Sequence, residues 1–83
     1  MDKDFFETFY RKNFKKMINR LQKMGVPFDD AQDIAQNIML EIYTRYDENY
    51  IKEHKFWTLV RLRAIDYHRA MQRKQNREGE EDG

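Results

Sequence analysis

An all-α fold, a small bundle of three main helices, is what three observations on this 83-residue chain predict. Apolar residues recur every three or four positions through three long stretches, the period of amphipathic helices. The one proline, and the one glycine that lies outside the C-terminal tail, stand together at Gly25-Val26-Pro27 and separate the first stretch from the second. There is no cysteine, so neither a disulfide nor a thiolate metal site can staple so short a chain. The core must come from its Phe, Tyr, Ile, Leu and Met side chains. The length allows one domain, read over residues 1–77. The acidic, glycine-bounded segment 78–83 is expected to be a disordered tail.

Helix 1 is predicted to open at Asp4-Phe5-Phe6-Glu7. This is a capping-box pattern in which the Asp4 carboxylate accepts from the third helical N–H and Glu7 reaches back to the cap. Phe6, Tyr10, Phe14, Met17, Leu21 and Met24 then form an apolar stripe, widened by Phe9 and Ile18, until Gly25 supplies a left-handed stop. The opposite face is basic, with Arg11, Lys12, Lys15, Lys16, Arg20 and Lys23; such faces are more often solvated than bound to a partner. Val26-Pro27-Phe28 reads as an extended turn, because proline disfavours helical geometry in the residue before it. Asp29 is the expected cap of helix 2, with Gln32 at the capping-box position.

Helix 2, running to about Tyr46, has more apolar surface than one buried face uses. Ala31, Ile34, Ala35, Ile38, Ile42 and Tyr46 share the stripe expected to face the core. Asp33, Gln36, Asn37, Leu40 and Tyr43 follow the same spacing on another side, mixing a carboxylate, amides and large apolar groups as a recognition surface does. Periodicity alone leaves two readings open: a helix sandwiched between two neighbours of its own bundle, or one that keeps a face for a partner.

Asp47-Glu48-Asn49 breaks the period, and the segment to His54 reads as a loop or short turn carrying Tyr50 and Ile51 toward the core. Helix 3 is expected from about Glu53. Within it Phe56, Leu59, Val60, Ala64, Tyr67 and Met71 fit one stripe, whereas Leu62 and Ile65 fall outside it and Arg63 falls within it. A straight helix fits this poorly. Either it is buried on several sides, or it kinks or splits near Arg61 to Arg63.

The net charge of +1 conceals an asymmetry. Residues 1–54 carry nine Lys/Arg against ten Asp/Glu, residues 55–77 carry seven against Asp66 alone, and residues 78–83 hold four acids and no base. Helix 3 is therefore basic enough to lie against phosphates. Phe56 and Trp57, beside Tyr50 and His54 and followed by arginines, have the composition of a platform for unstacked bases, although core packing is the commoner use of such a Phe. Nothing in the chain resembles an active site. His54 and His68 have no ligand-spaced partners, no glycine-rich phosphate loop is present, and Asp30 and Asp33 are explained by the dipole at a helix N-terminus. The expectation is a protein that is not an enzyme and holds no metal or cofactor. No apolar run is long enough to cross a bilayer, and the expectation is a cytoplasmic protein without a membrane partner.

Two motifs sharpen this reading. Ala31-Gln32-Asp33-Ile34-Ala35-Gln36 and its apolar continuation resemble the Asp-Ala-Glu-Asp-Leu-Val-Gln signature of region 2 in bacterial RNA polymerase sigma factors, especially the extracytoplasmic-function (group IV) type. Ala64-Ile65-Asp66-Tyr67-His68-Arg69 is similar to the Ala-Ile-Asp-x-Leu-Arg element that closes region 2 there, and a basic run follows in both. The resemblance spans residues 5–77 and implies a sigma region 2-like bundle with its third helix split at a small loop. It also implies that Asp33, Gln36, Asn37, Leu40 and Tyr43 contact the clamp helices of the polymerase beta-prime subunit. Trp57, Arg61, Leu62, Arg63, Arg69 and Arg73 would lie near promoter DNA, at the non-template strand of the minus-ten element. An anti-sigma factor is a further partner that the resemblance brings. The chain departs from the pattern where Lys55 occupies a frequent Trp position, so that Phe56-Trp57 matches a Leu-Tyr pair, and where Leu62 replaces a common Asn. A complete factor also has a region 4 helix-turn-helix, so the expectation is an excised domain or a partial homologue. A regulatory decoy or adaptor that binds polymerase without reading promoters, and a generic helical DNA-binding module, are the rival readings.

Overall fold

A computed structural model describes residues 1–81, and their side chains as far as Lys74. Four helices follow in order: α1 over Lys3–Lys23, α2 over Phe28–Arg45, the five-residue α3 over Glu48–Lys52, and α4 over Phe56–Glu81. No strand occurs among the described residues. The three long helices make the bundle, α2 packing against both α1 and α4 and α1 against α4.

The N-terminal caps differ from the sequence expectation. Asp2, not Asp4, caps α1, its carboxylate accepting from the Phe5 N–H at 3.1 Å. Glu7 turns instead to Arg11, one helical turn on, at 2.8 Å. Helix α2 opens at Phe28, its first helical bond running from the Ala31 N–H to the Pro27 carbonyl at 2.8 Å, and has no side-chain cap because Pro27 at the cap position carries no acceptor in its side chain. Asp29 therefore lies inside the first turn with Asp30, where carboxylates meet unpaired N–H groups and the positive end of the dipole.

The turn after α1 follows from Gly25. Its φ of +89° lets its N–H reach the Gln22 carbonyl and the Val26 N–H reach that of Leu21, each at 3.0 Å, while Val26 and Leu21 are both buried. This is the Schellman closure with its accompanying apolar contact. A second closure of the same kind ends α3. His54, at φ 58°, donates to the Ile51 carbonyl at 3.0 Å, and Lys55 to that of Tyr50 at 3.1 Å. The expected turn over 47–54 is thus one helical turn, capped by Asp47, that carries Ile51 into the core. Helix α4 consequently starts at Phe56, not near Glu53.

Helix α4 runs unbroken from Phe56, so the kink or split expected near Arg61 to Arg63 is absent. The phase conflict has another resolution. Leu62 lies off the stripe because it faces solvent, 49% exposed, and Ile65 is only half-buried. Arg63 sits on the stripe because its guanidinium is bound by carboxylates rather than packed among apolar groups. The helix continues past Arg77, where the domain was expected to end, to Glu81. The last two residues of the expected disordered tail, 82–83, lie outside the described residues.

The core joins Phe9, Met17, Ile18 and Leu21 of α1, Ala31, Ala35, Ile38, Met39 and Ile42 of α2, Ile51 of α3, and Phe56, Leu59, Val60 and Ala64 of α4, closed by Val26. Phe9 and Phe56 meet edge to face with ring centroids 4.9 Å apart. Phe9 and Ile18, expected at the margin of the α1 stripe, are central, because α1 is covered by α2 on one side and α4 on the other. Met39 is buried off the expected α2 stripe for the same reason, whereas Ile34 and Tyr46 stay half-buried at its edges.

Candidate functional site

Helix α2 divides into two faces. Ala31, Ala35, Ile38 and Ile42 are wholly buried. Asp33, Gln36, Asn37, Leu40 and Tyr43 are all exposed, and their spacing puts them together on the opposite side of the helix. Leu40 is 63% and Tyr43 42% exposed, large apolar groups held in water by a helix whose other side is fixed in the core. The bundle does not bury this second face: Asp33, Gln36, Asn37 and Leu40 are exposed, and Tyr43 is only partly shielded by Phe6 of α1. Thr44 continues it, its hydroxyl donating back to the Leu40 carbonyl at 2.9 Å.

The face is flanked on both sides. Toward α1, the Tyr43 ring lies 4.8 Å from that of Phe6, and with Tyr10, Lys3, Glu7 and Arg11 they line an open, mostly apolar groove. Phe6 and Tyr10 were legible only as core residues. They became part of this surface because α1 packs against α2, a fact that no local spacing carries. Toward α4, both carboxylate oxygens of Glu41 accept from one Arg63 nitrogen, Nη2, at 3.0 and 2.9 Å, and Arg45 lies 3.6 Å from the same carboxylate. Arg63 also donates to Asp66 at 3.1 Å. The hydrogen bond to Glu41 is the main cause that raises the Arg63 pKa above its ordinary value. One helical turn on, the Tyr67 hydroxyl donates to Asp30 at 2.7 Å, which raises its pKa. These bonds fix the angle between α2 and α4 from outside the core.

The six residues assigned to DNA do not form one cluster. Trp57 is half-buried, its ring 4.8 Å from Phe56 on the inside and covered outside by the Arg20 guanidinium at 4.8 Å. Arg61 is exposed one turn after it, on the α1 side of α4. Leu62, Arg69 and Arg73 are exposed and share the outer side of α4. Arg63 stands apart from both groups, its donors engaged by Glu41 and Asp66.

Among the described residues no group of three His, Cys, Asp or Glu is placed to hold a metal ion, and no helix is long and apolar enough to cross a membrane. His68 is engaged structurally, its Nε2 donating to the Met24 carbonyl at 2.6 Å. Comparison with protein-family models, curated proteins and solved structures finds no match to this chain.

Proposed function

We propose that the chain is a sigma region 2-like module that docks through the outer face of α2 on the clamp helices of the RNA polymerase beta-prime subunit. It then presents α4 to the separated non-template strand of the minus-ten element during transcription initiation. The observation that carries this is the exposed set Asp33, Gln36, Asn37, Leu40 and Tyr43, a mixed apolar and amide surface that begins within the segment resembling the sigma signature, at Asp33 and Gln36, and continues along the helix after it. An interface core of this kind excludes water around a few large side chains while amides at its margin set the register. On α4, Arg69 and Arg73 supply cations for a strand, and Trp57, half-buried between Phe56 and the Arg20 guanidinium, offers a partly exposed aromatic edge.

One observation favours a second reading, an adaptor that binds polymerase without reading promoters. Arg63 is committed to Glu41 and Asp66, and Leu62 offers no amide to a flipped base. Binding to three labelled DNAs at matched salt separates the two: a single strand with a minus-ten-like sequence, the same bases shuffled, and the corresponding duplex. A promoter reader binds the first tightest. Equal affinity for all three removes promoter reading and leaves the adaptor, provided the polymerase fragment is still bound.

A further inference from the structure

The sequence contains no acid between Glu7 and Asp29, and α1 from residue 11 onward carries Arg11, Lys12, Lys15, Lys16, Arg20 and Lys23, all exposed. Helical spacing divides these six. Arg11 is tied to Glu7, and Lys15 lies beside Phe28 and Gln32 on the α2 side. Lys12, Lys16, Arg20 and Lys23, at positions i, i+4, i+8 and i+11, run as a single stripe along the other edge of α1, beside α4. Two interactions extend the stripe onto other elements. The Arg20 guanidinium lies 4.8 Å over the Trp57 ring, one turn before exposed Arg61, and the Lys52 ammonium of α3 lies 5.7 Å over the Phe5 ring at the N-terminal end.

None of the cations Lys12, Lys16, Arg20, Lys23, Lys52 and Arg61 makes an ion pair with a described residue. The acids closest in sequence to Lys52 are Glu48 and Glu53, and Glu53 is itself held by Lys55 at 2.9 Å. We propose that this stripe binds the sugar-phosphate backbone of DNA, independently of base sequence. Cations one helical turn apart recur about every 6 Å along a rigid axis, and each is free to replace a condensed counterion. The Arg20–Trp57 pair gives the track a planar patch at its middle, where a sugar or base edge can rest. A lipid surface is the poorer fit. A basic helix that lies on a membrane inserts apolar side chains beside its cations, and the large apolar groups in this part of α1 are turned to the core, leaving Asn19 and Gln22 on its outer side. The inference does not rest on polymerase docking, which uses α2.

The test measures fluorescence anisotropy of the full chain with a labelled duplex and a labelled single strand, both of arbitrary sequence, across a salt series. Lys12→Gln/Lys16→Gln/Lys23→Gln should weaken both complexes at least tenfold. It should also flatten the slope of log K against log salt, on the duplex by about 0.9 for each phosphate that the variant no longer neutralises. Gln36→Ala/Leu40→Ala should leave DNA affinity unchanged, so failure of docking and failure of this inference are told apart. In the unsubstituted protein, DNA should protect Lys12, Lys16 and Lys23 from chemical acetylation while Lys15, on the other edge, stays reactive. Unchanged affinity and slope in the triple variant, equal reactivity with and without DNA, or the same lysines binding anionic phospholipid vesicles in preference to DNA would overturn it.

Discussion

Arg63 shows how a tertiary partner redirects a side chain whose local sequence points elsewhere. It lies in the basic part of the chain, and its charge and spacing suit a phosphate contact. In the folded protein its guanidinium is divided between Asp66 and Glu41, and the Glu41 side chain is only 16% exposed. A half-sheltered pair is worth more than a surface ion pair; removing the cation leaves a carboxylate with little water to replace it, and the single ammonium of a lysine cannot hold Glu41 and Asp66 as two guanidinium nitrogens do. Arg63→Ala should therefore lower stability by about 1–2 kcal/mol in denaturant titration, and Arg63→Lys should recover only part of this. The partner is 22 residues away, and no motif links the two positions. The same limit hid the pairing of Phe6 with Tyr43. Gly25, by contrast, was legible, because a left-handed stop is a local requirement. What the sequence did not show is that the His68 ring would stand 3.3 Å from any Cβ placed there.

At the scale of the element, the informative case is α4. Its out-of-phase residues were readable, but the remedy they suggested, a break in the helix, was not the one used. Exposure of Leu62 and ion pairing of Arg63 remove the conflict, and the chain changes direction upstream, at the closure around His54. Because Leu62 is exposed, Leu62→Asn should change stability by no more than about 0.5 kcal/mol. If α4 reads the non-template strand, the new amide should add discrimination at one position, of about 1–3 kcal/mol for a well-made bidentate contact. Anisotropy against single strands varied one base at a time checks both the size and the place of the effect.

The junction of α2 and α3 carries a separate prediction. Tyr46 and Tyr50 stack with centroids 3.8 Å apart, and burial, with Tyr46 next to it, pushes the Tyr50 phenol up to about 12. The folded protein thus keeps a proton that the unfolded chain releases near pH 10. The contribution is complete below pH 10 and is lost as pH rises toward 12. Tyr50→Phe should abolish this part of the alkaline loss of stability. Thermal melts of both proteins across that window will show it, and parallel curves would count against the assignment.

As a whole, the molecule is a bundle from which α4 extends, 54 × 21 × 18 Å overall. The buried side of α2 holds the fold together. Its outer side leaves Leu40 exposed and Tyr43 only partly covered, by Phe6, and the basic edge of α1 and the outer side of α4 carry exposed cations. Central apolar residues of protein interfaces commonly cost on the order of 2 kcal/mol each when truncated, whereas exposed helix positions cost the fold little. The decisive measurement is therefore the affinity of the full chain for a beta-prime clamp-helix fragment, by titration calorimetry, before and after Gln36→Ala/Leu40→Ala. Docking through α2 predicts binding by the unsubstituted protein and a loss of at least tenfold in the double variant, with helical circular dichroism intact. Binding of equal strength in both proteins, or no binding by the unsubstituted chain, would contradict it.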